Sequence, residues 1–325
     1  MESNRRRVAG ALGAVAASLA LPAGSVRAQD KPPLKLMVGF APGGSADIVA
    51  RLLAERMRVE LNQPVLVENR PGAAGRIALE AVKNAPPDGL TLAVLPSGPM
   101  VVLPHVFRKL GYDPFKDFTP VSQVCAFQFD IVSGPGSNVK SIAEMAARAK
   151  SDPASATFGS SGNGTLPHFL GVMLADAAKI PLTHVPFQGG APAVQALMGG
   201  HIGYTIDTLV ETMEMYRAGK VKVVAVTGPK RSPQMPDVPT LKEQGVDMEA
   251  TGWFAVYGPA GMAPDLVRRL NQAANAALKD PAVLDKLSRL GLEPVGSTPE
   301  QLAAAHRADY ARWEKPIKAT GFTAD

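Results

Sequence analysis

The sequence predicts an α/β protein of two similar lobes, each a central, mostly parallel sheet flanked by helices, with a cleft between them. Three observations lead there. A strand, a glycine-rich turn and an amphipathic helix follow one another in both halves of the chain. The connections between these units are short, as in sheets covered on both faces. The last sixty or so residues read as helix almost throughout.

The first unit is LKLMVGFAPGGSADIVARLL, Leu34 to Leu53. Leu34 to Phe40 is an apolar run of strand length, and Pro42-Gly43-Gly44 breaks it. Ile48, Val49, Leu52, Leu53 and Met57 then recur at helical steps, with Ser45 as N-cap and Asp47 in the first turn. Such a turn sets backbone N–H groups at the carboxyl end of a strand, where a small anion can be held or where the chain simply turns a corner. Val65 to Asn69 is the next strand, Arg70 to Gly75 turns into a helix, and Pro86 to Gly89 leads to a third strand at Leu90 to Leu95.

Gly111 to Pro120 is a turn-rich connection anchored by Phe115 and Phe118. Val121 to Val132 forms two short strands or one long one, and a long one suits passage between lobes. The second series has helices at Ile142 to Ala149 (cap Ser141), from His168 to about Lys179, at Ala193 to Met198 and at Val210 to Ala218 (C-cap Gly219). Its strands are Ala156 to Phe158, Thr183 to Val185, Ile202 to Ile206 and Val221 to Val226. A strand around Trp253 to Tyr257 is expected to return to the first lobe. Helices Pro264 to Leu278, Pro281 to Leu290 and Pro299 to about Ile317 each open on proline, the last capped by Thr298 or Ser297. The expected division is 30–127 with 250–325 for lobe 1 and 128–249 for lobe 2.

Arg5, Arg6 and Arg7 precede an alanine-rich apolar run and a small-residue site at Val26-Arg27-Ala28. This is an export signal, residues 1–28, cleaved near Ala28 by either the general or the twin-arginine route. No cysteine stands at that point, so no lipid anchor is expected. Without the signal, 30 basic and 28 acidic residues remain, a net +2 rather than +5, which gives no argument for nucleic acid or membrane partners. The single cysteine, Cys125, makes no internal disulfide and is expected in the core.

Gly159-Ser160-Ser161-Gly162 misses the spacing of a serine-hydrolase elbow. No dinucleotide or phosphate loop is present, and the five histidines make no metal spacing, so no cofactor and no metal are expected. What remains are three loops rich in N–H donors: Phe40 to Asp47, Gly159 to His168, and Phe187 to Pro192. Each follows a strand, which places it at the cleft. Ser45, Ser160, Ser161, Asn163 and Thr165 add side-chain groups suited to holding a carboxylate without reacting with it, though Ser160 and Thr165 also suit simple capping. His168 either faces the cleft or closes a local hydrogen bond, and Asp207 either receives a ligand ammonium or water or caps the next helix.

PGGSAD, VENRPGAAG, PPDGLTL, YDPFKDFTPV, GSSGNGTLPH, VPFQGGAPAVQALMGG, PDVPTLKEQG, WFAVYGPAGMAPDLVRRLN and GSTPEQLAA occur in this order. Together they resemble the substrate-binding proteins of tripartite tricarboxylate transporters, the TctC or Bug family, over almost the whole mature chain. The resemblance implies a two-lobed, type II-like periplasmic binding protein that closes over a small organic acid: a di- or tricarboxylate, an acidic amino acid or an aromatic carboxylate. It places Phe40, Ala41, Gly44, Ser45 and Asp47 on one wall, and Ser160, Asn163, Thr165 and His168 on the other. Gln188, Gly189 and Ala191, with Asp207, shape the far end. It implies a monomer in the periplasm that serves a large and a small membrane subunit, or presents its ligand to a sensor protein.

The chain departs from the family pattern at Gly39 and Ala41, where prolines are common, which implies a less rigid loop. It departs also at Gly203, where an aspartate is usual and where space is expected to open or a structural hydrogen bond to be lost. The rival readings are an exported hydrolase or isomerase using Ser161 and His168, and a sensory adaptor with the same ligand site.

Overall fold

Ten strands form a mixed sheet system bent about one long strand, in a computed structural model that describes residues 31–324. The export signal and its cleavage site lie outside the described residues. Strand β1 (Leu34–Val38) leads through the glycine turn to α1 (Ser45–Leu61), then β2 (Val65–Asn69), α2 (Arg76–Lys83) and β3 (Thr91–Pro96). β1 pairs in parallel with both β2 and β3, as the alternating pattern requires. Short helices α3 (Gly98–Val101) and α4 (Leu103–Val106) precede β4 (Phe118–Ser133). The Val121 to Val132 stretch is therefore one strand of 16 residues.

The second series is α5 (Ile142–Ser151), β5 (Thr157–Ser160), α6 (Leu166–Ala178), β6 (Thr183–Pro186), α7 (Gly190–Met198), β7 (Tyr204–Thr208), α8 (Leu209–Arg217) and β8 (Lys222–Val226). β9 (Thr251–Pro259) then returns to lie between β3 and β4. Helices α9 (Pro264–Ala277) and α10 (Pro281–Arg289), a three-residue β10 (Leu292–Pro294) and α11 (Pro299–Ala319) complete the chain. Among the described residues no helix is long and apolar enough to cross a membrane.

β4 belongs to both sheets. Its first part runs between β9 and β10, and its last residues run between β7 and β8. All five of these strands' contacts with β4 or with β3 are antiparallel, while β5 pairs in parallel with β6 and β7. The antiparallel share comes from β4 and β9, which are joined to their neighbours without the crossover helix that parallel pairing needs.

One apolar core runs under β1, β3, β4 and β9, with Cys125 fully buried in it, and a smaller one of Val132, Leu197, Leu209, Met213 and Val226 sits beneath α7 and α8. The caps explain several boundaries. Thr298 accepts the Gln301 N–H while the Gln301 side chain accepts the Thr298 N–H, a full capping box on α11. Ser141 accepts the Glu144 N–H at the start of α5. Phe118 is buried as expected, but Phe115 is exposed and anchors by stacking on His306, ring centroids 4.5 Å apart.

Two expectations are corrected. Ser45 is not the cap of α1: Gly44 holds that position without a side-chain bond, and Ser45 is the first helical residue. Gly203 opens no space, because a Cβ there would lie 2.0 Å from the Ser155 carbonyl oxygen. The backbone of the Ser155 turn fills the room an aspartate would need.

Candidate functional site

The loops after β1, β5 and β7 meet at the carboxyl ends of their strands, where helix N-termini leave first-turn N–H groups without intrahelical partners. Between them lies a narrow cavity of about 40 Å³. One side is Phe40, Gly44, Ser45 and Ala46, with Pro96 to Pro99 behind them. The other is Ser161, Thr165, Leu166 and Pro167, with Gly190, Asp207, Thr208 and Glu211 at the end. Phe127, Phe129 and Phe254 supply an apolar floor. Phe127 and Phe129 stand two apart on β4, so both reach the same face.

The two sides touch. The Ala41 N–H donates to the Gln188 carbonyl at 2.9 Å, and the Ser45 N–H donates to Glu211 Oε1 at 2.7 Å. Glu211 reaches α1 because Gly190 has no side chain: a Cβ on Gly190 would lie 2.3 Å from the Glu211 carboxyl carbon. The Glu211 carboxylate thus sits at the positive end of the α1 dipole.

Asp207 accepts the Ser161 N–H at 2.8 Å and the Thr208 N–H at 2.9 Å, so it fixes the second loop and the start of α8 together. Burial raises Asp207 to about 6. Burial first, and repulsion from Asp207 second, raise Glu211 to about 8. Asp130 lies opposite Asp207 across the β4–β7 pair, fully buried, and accepts the Thr212 hydroxyl. Its burial pushes it well above the usual carboxylate range.

The other residues singled out in the sequence are placed as follows. Asp47 does not line the cavity: its carboxylate accepts from the Gly43 N–H, from Arg51 through two nitrogens, and from Asn69. It ties the first loop to β2. Ser160 is fully buried, 2.7 Å from His184 Nε2, and its neighbour Ser161 is the serine in the cavity wall. Thr165 donates its hydroxyl to the Gly162 carbonyl at 2.7 Å, holding its own turn. His168 accepts the Gly164 N–H through Nδ1 and stacks on His184 at 4.1 Å, so it closes the local bond. Burial lowers His168 to about 4. The rival pair of Ser161 and His168 therefore faces different partners.

Asn163 and Gln188 border an adjoining recess that shares Phe40 and Ser161 with the cavity and is backed by Arg76. The Arg76 guanidinium lies over the Phe107 ring and donates to the Leu110 carbonyl. Gly189, with φ of 142°, brings the third loop against Ala41, and Ala191 lies in the first turn of α7 beside it. Among the described residues no group of three or more His, Cys, Asp or Glu side chains is placed to hold a metal ion.

Sequence reasoning missed Glu211, Thr208 and the phenylalanine floor. The alternating FQF of Phe127 to Phe129 was a readable signal for the floor. Glu211 carried none, since an acid in a first helical turn is ordinary.

A family model described as "Tripartite tricarboxylate transporter family receptor" matches residues 49–322. BugT of Bordetella pertussis is 32% identical over 291 residues, 89% of this chain and 89% of that protein. The solved periplasmic binding protein BugD superposes with a TM-score of 0.86 at 32% identity, covering 90% of this chain and 99% of that one. MatC of Rhodopseudomonas palustris, solved with bound malate, gives 0.83 at 33% identity, covering 88% and 98%.

Proposed function

Since the chain belongs to the tripartite tricarboxylate transporter receptors, the TctC or Bug family of periplasmic solute-binding proteins, we propose that it captures a small organic acid outside the cytoplasm and hands it to a large and a small membrane subunit. The observation that carries this reading is the shared cavity. Ser45 on one loop and Ser161 and Thr165 on another bound the same space, at the N-termini of α1 and α6. Amide donors of that kind hold a carboxylate without activating it.

On this reading the lobes are residues 30–127 with 250–325, and residues 128–249, hinged where β4 and β9 pass between them. The signal is removed near Ala28, no lipid is attached, and the mature protein acts as a monomer without a cofactor. Ligand shifts the lobes from open to closed.

Small-angle scattering on the purified protein tests the reading, with a panel of mono-, di- and tricarboxylates and amino acids. A matching acid is expected to reduce the radius of gyration, with the acid recovered unchanged by mass spectrometry. A radius that no acid alters would refute capture by closure, and a chemically altered acid would refute simple binding.

A further inference from the structure

We infer that the cavity selects a zwitterionic monocarboxylate with an apolar body, its ammonium group received by Asp207 and Glu211. This rests on the reading above that the cavity captures a carboxylate.

The charge inventory sets the class. Asp207 and Glu211 line the cavity, and among the described residues no lysine, arginine or histidine does. Arg76 is confined to the adjoining recess, bonded to the Leu110 carbonyl, and Arg51 is committed to Asp47. A di- or tricarboxylate would bring its second charge to an end that offers no cation and already holds the Asp207 carboxylate. Backbone amides at the helix starts can satisfy one carboxylate, but they cannot neutralise a second at the acidic end.

A separate observation marks the acidic end as a receiving point. Thr208 is 4% exposed and lines the cavity beside Asp207, yet its Oγ1 has no hydrogen-bond partner. Buried hydroxyls are nearly always paired. An ammonium group has three donors, and the Thr208 oxygen with the Asp207 and Glu211 carboxylates offers three acceptors. The body of the ligand meets Phe40, Phe127, Phe129 and Phe254, surfaces that favour carbon over charge. The raised proton affinities of both acids agree, since a cation between them removes the repulsion that raises Glu211.

Calorimetric titration of the purified protein tests this with matched probes. L-phenylalanine, 3-phenylpropanoate and phenylsuccinate share a ring and carry, respectively, an amine with one carboxylate, one carboxylate alone, and two carboxylates; phenethylamine carries the amine alone. L-leucine and 4-aminobutyrate vary the body, and malate and adipate represent plain dicarboxylates. An amino carboxylate is expected to bind at least tenfold tighter than 3-phenylpropanoate and at least a hundredfold tighter than any dicarboxylate.

Glu211→Gln is expected to shrink the first gap to under threefold. Asp207→Asn should act in the same direction, and the wild-type ranking needs no variant. A dicarboxylate that binds as tightly as the amino carboxylates overturns the inference and leaves carboxylate capture standing. Phenethylamine binding as tightly as L-phenylalanine, with every plain acid silent, overturns carboxylate capture and keeps the acidic end. Silence of all the amino carboxylates overturns the inference.

Discussion

Raising the pH from 6.5 to 8 should weaken the unliganded protein relative to a Glu211→Gln variant. The Glu211 carboxyl is raised from 4.5 to about 8, so across this window the folded state keeps a proton that the unfolded state has already released. Stability falls with pH wherever the folded state binds more protons, and a single group at these values loses on the order of 1–2 kcal/mol between pH 6.5 and 8. For a chain of this length that is a fall of about 2–3 °C in Tm. Asp207, raised to about 6, spends most of its loss below the window. The buried His168, His184 and His306 are unprotonated in the fold but half protonated in the unfolded chain at pH 6.5, so together they add back about 1 kcal/mol by pH 8, equally in the wild type and in a Glu211 variant. Glu211→Gln keeps the side-chain shape and an oxygen for the Ser45 N–H, and removes only the titration. Urea midpoints read at pH 6.5, 7, 7.5 and 8, in buffer free of carboxylates and amines, should rise for the variant as its histidines are relieved and fall progressively behind that rise for the wild type. Parallel curves, agreeing within about 0.5 kcal/mol, would refute the claim that this carboxyl is held protonated by its surroundings.

Two further outcomes are expected. Gly203→Ala should cost about 2–4 kcal/mol, because the new methyl meets the Ser155 carbonyl oxygen, a backbone atom that cannot swing aside; an unchanged urea midpoint would show that the Ser155 turn yields freely. On acidification, His168 and His306, each lowered to about 4 by burial, bind fewer protons folded than unfolded, so their contribution is present above pH 6.5 and is lost as pH falls toward 4. His306→Gln, which keeps a donor for the Met100 carbonyl, should remove about 2–3 kcal/mol of that acid loss, and acid unfolding curves of the two proteins that superimpose would contradict it.

What could be read in advance was local. The change of period at Ala46 marked strand, turn and helix, and the proline openings of α9, α10 and α11 marked three helix starts within a residue or two. Thr298 and Gln301 sit three apart, so their capping box is written in consecutive residues. What could not be read depended on partners far along the chain. β10 is three residues long and exists only because β4 offers it an edge. Gly203 looked like a missing side chain, and its meaning appears only when the Ser155 carbonyl is beside it. Of the residues singled out for the site, the structure brings Phe40, Gly44, Ser45, Thr165 and Asp207 to one cavity, while Asp47 turns to Arg51 and Asn69, Ser160 to His184, and His168 to the Gly164 N–H of its own loop. Glu211 joins the cavity through Gly44 and Gly190, a meeting of three segments that no short window of sequence displays.

The position of β9 governs the order in which the molecule can be completed. β9 fills the gap between β3 and β4, about 160 and 130 residues after them. Until residue 259 is available, β3 and the first part of β4 are left with bare edges, and the earlier sheet cannot close. A chain that emerges amino end first must therefore carry an unfinished β-sheet through most of its synthesis. Pulse-labelled hydrogen exchange during refolding should find amides of β3 protected late, together with those of β9, although β1 and β2 lie next to them in the chain.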